Sequence, residues 1–140
     1  MKTRIFYDGI KYRLKNSRKV LKLIEKVIGE YRIPNGSLSF ILTNDEELIK
    51  INKEFLQHNF FTDVIAFNYG SNDLLQGEIF LGLETIKFNS INYKVSLRDE
   101  LLRVMIHGTL HLCGFNDSSD RERENMRKLE NEWILKFKLN

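Results

Sequence analysis

The chain has 140 residues, 42% of them apolar and 29% charged, which is the size and composition of one soluble globular domain with a sizeable core. No apolar run approaches the roughly 20 residues of a membrane span, residues 1–8 break off too soon to form a signal peptide, and the single cysteine, Cys113, excludes an internal disulfide; a cytoplasmic location is expected. The net charge of +3 is unevenly spread: residues 1–32 hold ten Lys/Arg against three Asp/Glu, and the remainder twelve against sixteen.

In chain order, residues 5–7 read as a short strand. Val20, Leu23, Ile24, Val27, Ile28 and Tyr31 recur at helical spacing and predict an amphipathic helix over residues 17–31. The only proline, Pro34, sits in an Ile-Pro-Asn-Gly turn, after which Leu38, Phe40 and Leu42 alternate with polar residues as in a half-buried strand. Asn44 then caps a helix with Glu47 at its third position, and Leu48, Ile51 and Phe55 mark the inner face. Residues 64–67 and 79–81 are apolar runs of strand length, and residues 83–93 carry a weaker helical pattern. Ser96 and Asp99 open a helix that is apolar around most of its circumference and therefore central; Gly114 ends it. Ser119 and Glu122 start a last helix with Met126, Leu129, Trp133 and Phe137 on its buried stripe. The expected architecture is a single α+β domain over residues 1–140, with about four strands in a mixed sheet, about five helices and a metal-site helix of the zincin type.

The chemistry concentrates in the central helix. His107 and His111 lie four residues apart, one turn from each other on one face, so both imidazoles can point at one ion. Gly114 lets the chain turn back and bring Asp117 to the same point. Two histidines and a carboxylate leave a coordination position open for water, which is the pattern of a catalytic zinc site. The residue after the first histidine is Gly108, where a zinc peptidase carries a glutamate as general base, so peptide hydrolysis lacks its proton acceptor.

The stretch from His107 through Phe115 resembles the signature of the YbeY endoribonucleases, His-Gly-x-Leu-His-Leu-x-Gly-aromatic. Asn52 with Thr62, Asp63, Val64, Ile65, Ala66 and Phe67 resembles a second family block, and Gly77, Glu78 and Ile79 a third, in family order over nearly the whole chain. The resemblance implies one Zn²⁺ per chain, ligated by His107, His111 and the residue at position 117. The family usually carries histidine there; here it is Asp117, a competent zinc ligand that also suits harder metals. The family's arginine, four residues after the asparagine, is replaced by Leu56, with Lys53 and Arg103 as possible substitutes.

The resemblance further implies a metal-dependent endoribonuclease acting on single-stranded RNA in ribosomal RNA maturation and ribosome quality control, with ribosomal RNA and the small ribosomal subunit as partners. Asp63 and Arg103 are the catalytic candidates beside the ligands. Two alternatives stay open beside this reading: a metallohydrolase of another substrate class with the same ligands, and a non-catalytic ribosome-assembly factor with a structural metal. His58 reads as an exposed loop histidine and Cys113 as a packing residue. Arg121, Arg123, Arg127 and Lys128 interleave with Glu122, Glu124 and Glu130 as on a solvated helix. The basic run of Lys11, Arg13, Lys15, Arg18, Lys19, Lys22 and Lys26 is the expected grip on a phosphate backbone.

Overall fold

A computed structural model describes residues 1–56 and 62–140, so His58 lies outside the described residues. The elements run β1 (Lys2–Tyr7), α1 (Ser17–Tyr31), β2 (Gly36–Thr43), α2 (Asp45–Leu56), β3 (Val64–Asn68), β4 (Leu75–Gly82), α3 (Leu83–Asn92), α4 (Leu97–Leu112) and α5 (Asp120–Leu139). The sheet order is β1-β2-β4-β3, with β1, β2 and β4 parallel and β3 antiparallel to β4. This is the expected α+β domain with a four-stranded mixed sheet and five helices.

Period-two patterning sets the sheet's buried face. Leu38, Phe40 and Leu42 on β2 stand in register with Gly77, Ile79 and Leu81 on β4, and all five apolar side chains are fully buried. Helices α1 and α4 contribute Ile24, Val27, Ile28, Leu101, Met105, Ile106 and Leu110 to the same core. Helix α4 is central, as its apolar circumference requires. Asn44 accepts a hydrogen bond from the Glu47 backbone (2.8 Å), Ser96 caps α4 at Asp99 (3.0 Å), and Ser119 with Glu122 forms a complete capping box on α5. One expected core position differs: Phe55 is 61% exposed, and its ring meets Phe67 edge-on at 5.8 Å. Near the end of α2, helical spacing carries it beyond the sheet's buried layer.

At Gly108, α4 packs closely against β3 and β4. A Cβ there would stand 3.1 Å from two carbons of buried Ile79 and 3.3 Å from Val64 Cγ2. This position therefore faces the strands, and the glycine is a packing requirement. Gly108→Ala is expected to cost about 1–3 kcal/mol in overpacking, offset by about 1 kcal/mol of helix propensity. A net loss near 1 kcal/mol would lower the melting temperature by roughly 4 °C. An unchanged or higher melting temperature in calorimetry would show that Ile79 yields freely.

Candidate metal centre

The C-terminal end of α4 carries the cluster. Cys113 is the last half-helical residue, and Gly114 adopts φ +99°, a conformation that side-chain-bearing residues rarely take. The Gly114 N–H donates to His111 O (3.0 Å) and the Phe115 N–H to Leu110 O (3.1 Å), the paired bonds of a Schellman ending. Phe115 then packs edge-on against Tyr31 (4.9 Å), which also meets Trp133 and accepts a hydrogen bond from its indole N–H at 3.0 Å. The loop after the helix is thus pinned to α1 and α5. Arg123 closes it from the other side by donating to the carbonyls of Asp117 (3.3 Å) and Ser118 (2.9 Å).

This geometry brings Asp117 to the two histidines. His107 Nε2 and His111 Nε2 lie 3.0 Å apart, and each lies 3.3 Å from Asp117 Oδ2. Ligand atoms at zinc bond lengths in a tetrahedral shell stand about 3.3–3.4 Å from one another. The three atoms therefore outline one face of such a shell, and the donor set of two imidazoles and one carboxylate fits zinc chemically. All three side chains are partly exposed, leaving the fourth direction accessible.

Behind the candidate ligands stands a carboxylate that the charge pattern of α5 conceals. Glu130, expected on a solvated helix face, is 5% exposed, and its Oε2 lies 2.6 Å from His107 Nδ1. An Nδ1–H donated to Glu130 leaves Nε2 as the free lone pair facing Asp117 and His111, the usual carboxylate–histidine support of a metal ligand. Arg103 binds the other Glu130 oxygen (3.0 Å) and donates to Asn131 Oδ1 (2.8 Å). Burial opposes the charged imidazolium of His107, but the Glu130 hydrogen bond and charge, with Asp117 and Asp63 adding, hold its pKa above the ordinary 6.5. The spacing of Arg103, His107 and Glu130 along two separate helices carries no local signal; only their packing joins them.

A cavity of about 390 Å³ opens beside the cluster, lined by residues of α3, α4 and α5 together with Asp63 and Asp117. Arg103, Arg123 and Arg127 are among its walls; Arg123 and Arg127 are exposed, as expected of the α5 face, and border the candidate site as well. Asp63 is partly buried just before β3; burial pushes its carboxyl up, while its own backbone N–H and the nearby His107 pull the other way. Lys53 is exposed on α2, and Asn52 is buried at 1% exposure. Cys113 is partly buried, and burial pushes its thiol up to about 11, against the opposing charge of Arg32. A protonated thiol is a poor fourth ligand. Arg32 itself ties the end of α4 to the β3–β4 turn, donating to Leu112 O (3.0 Å), Ser71 O (2.9 Å) and Asn72 O (3.1 Å), a long-range link without a sequence signature.

Fold and cluster together define a class: a small α+β domain with a three-ligand candidate metal site where its buried helix ends. The family described as Endoribonuclease YbeY matches residues 8–138. Relatives described as Endoribonuclease YbeY include one from Bacteroides thetaiotaomicron, 38% identical over 125 residues (89% of this chain, 91% of that one), and one from Christiangramia forsetii, 43% identical over 114 residues (81% and 80%). A solution structure of a Thermotoga maritima protein shares the fold at a TM-score of 0.68 and 24% identity, over 96% of this chain and 88% of that one. The chain belongs to the YbeY endoribonuclease family.

Proposed function

We propose that this protein is a zinc-dependent endoribonuclease that hydrolyses phosphodiester bonds in single-stranded RNA during ribosomal RNA maturation and quality control. Its partners on this reading are ribosomal RNA and the small ribosomal subunit, in the cytoplasm. The observation that carries the reading is the triangle of His107, His111 and Asp117 beside an arginine-bordered cavity, in a chain of this family. Bound zinc supplies Lewis acidity toward a phosphate oxygen and a water that ionises near neutral pH.

The protein's own groups complete the chemistry. Glu130 holds His107 in the metal-facing tautomer, and Arg103 keeps Glu130 in place while adding positive charge to the cavity wall. Arg123 and Arg127 attract the RNA backbone. Asp63, with its carboxyl raised by burial, serves as proton acceptor in the same cavity. No helix among the described residues is long and apolar enough to cross a membrane.

The test is cleavage of a single-stranded RNA by protein stripped of metal with a chelator and then given back about one zinc ion per chain. Activity is expected to vanish on stripping and return with zinc. Equal cleavage by stripped and reloaded protein would refute metal dependence, and no cleavage by the loaded protein would refute the nuclease reading.

A further inference from the structure

Glu100 is unexplained by the metal chemistry. It lies on the same face of α4 as Arg103, Val104 and His107, seven residues before the ligand, and is 4% exposed. Among the described residues its carboxylate has no hydrogen-bond partner, yet it lines the cavity that adjoins the cluster. Its oxygens are not sealed off from the cavity, so they can accept hydrogen bonds from a molecule that enters it. Burial first, and then the charge of Asp63, push its carboxyl above the ordinary range, while the nearby Arg103 and Arg127 pull the other way.

The surroundings are those of a site for a flat, donor-bearing ring. Val104 and Met126, both nearly fully buried, give the cavity an apolar lining. Tyr93 is 60% exposed at the cavity wall, with its ring available for stacking. Seven helical residues separate Glu100 from His107 by about 10 Å along the axis, which one nucleotide spans from its phosphate to the far edge of its base. We propose that the end of this cavity remote from the cluster is a guanine subsite, in which the Glu100 carboxylate accepts the N1–H and the 2-amino group of a base flanking the scissile phosphate. The proposal rests on the endoribonuclease reading for its substrate.

The choice of guanine follows from donor geometry. Guanine presents two adjacent donors on its Watson–Crick edge, matching the two carboxylate oxygens. Adenine and cytosine offer only an amino group, and the single imide N–H of uracil is flanked by carbonyl oxygens that the carboxylate repels.

The test measures binding of the 3′- and 5′-monophosphates of guanosine, inosine, adenosine, cytidine and uridine to the metal-loaded protein by calorimetry. Cut sites in a mixed-sequence single-stranded RNA are mapped in parallel. Guanosine monophosphate is expected to bind about tenfold or more tighter than the inosine compound, which lacks the 2-amino group, and cuts are expected beside guanines. E100Q, checked for an unchanged melting temperature, is expected to lose the preference while still binding metal. The inosine comparison stands on wild type alone, so it does not depend on the variant folding. Equal binding of guanosine and inosine compounds, a preference that survives in E100Q, or cuts without base bias would each overturn the subsite. If guanosine monophosphate is preferred but RNA is not cut, the subsite stands and the nuclease reading falls.

Discussion

His111→Ala is expected to reduce bound metal from about one ion per chain to near zero, and RNA cleavage with it. The loss of metal affinity should exceed the roughly 10–100-fold that changes behind the ligands cost. His111 is the cleaner of the two histidines to remove. Among the described residues its Nε2 faces His107 and Asp117, whereas His107 also engages buried Glu130, so its loss would strand a carboxylate. The His111 side chain is 29% exposed and the helix around it is held by core residues, so the melting temperature of the metal-free protein should shift little. Metal analysis and RNA cleavage on folded variant decide the matter: a variant that keeps its ion, or cleaves as wild type does, removes His111 from the site.

The second large effect is expected at Glu130. Glu130→Ala removes the shared partner of Arg103 and His107 and leaves two groups facing each other across a gap. Breaking a buried ion pair from one side costs about 3–5 kcal/mol, and losing the support of a ligating histidine costs about 10–100-fold in metal affinity. Glu130→Gln separates the two effects, since it keeps the volume and removes the charge. In the metal-free protein, a histidine held above its unfolded value near 6.5 adds stability that is fully present below that value. This stability fades as pH rises through the folded value. Metal competes with the same proton, so zinc affinity should climb over that interval. In Glu130→Gln the interval moves to lower pH, because the main contribution that raises His107 is gone. Zinc titrations at several pH values read this directly, and an unchanged midpoint would show that Glu130 does not govern the ligand.

Both predictions turn on residues that differ in how openly the sequence displays them. His107, His111 and Gly114 are local: a four-residue spacing on a helix and a residue permissive of positive φ can be recognised without knowing what lies nearby. The elements were equally open, since α1 spans the residues its apolar spacing marks and the caps at Asn44, Ser96 and Ser119 form as written. Phe55 shows the limit of that reasoning, because periodicity places a residue on a face of its helix but not over a particular layer of the core.

The supporting shell is a different matter. Glu130 sits among charges that read as surface pairs, and its role depends on α5 packing against α4 so that position 130 meets 103 and 107. The same packing turns Arg123 and Arg127 toward the cavity and leaves Glu100 buried in its wall. By itself, then, the sequence determined the α+β class, the helix that carries the two candidate histidine ligands, and the three residues able to hold an ion, because each depends on periodicity or spacing within a short span. Only the tertiary structure decided that Asp117 stands 3.3 Å from both imidazoles and that Glu130 and Arg103 stand behind His107. Those contacts cross between helices and loops far apart in the chain, where no local pattern constrains which side chains meet.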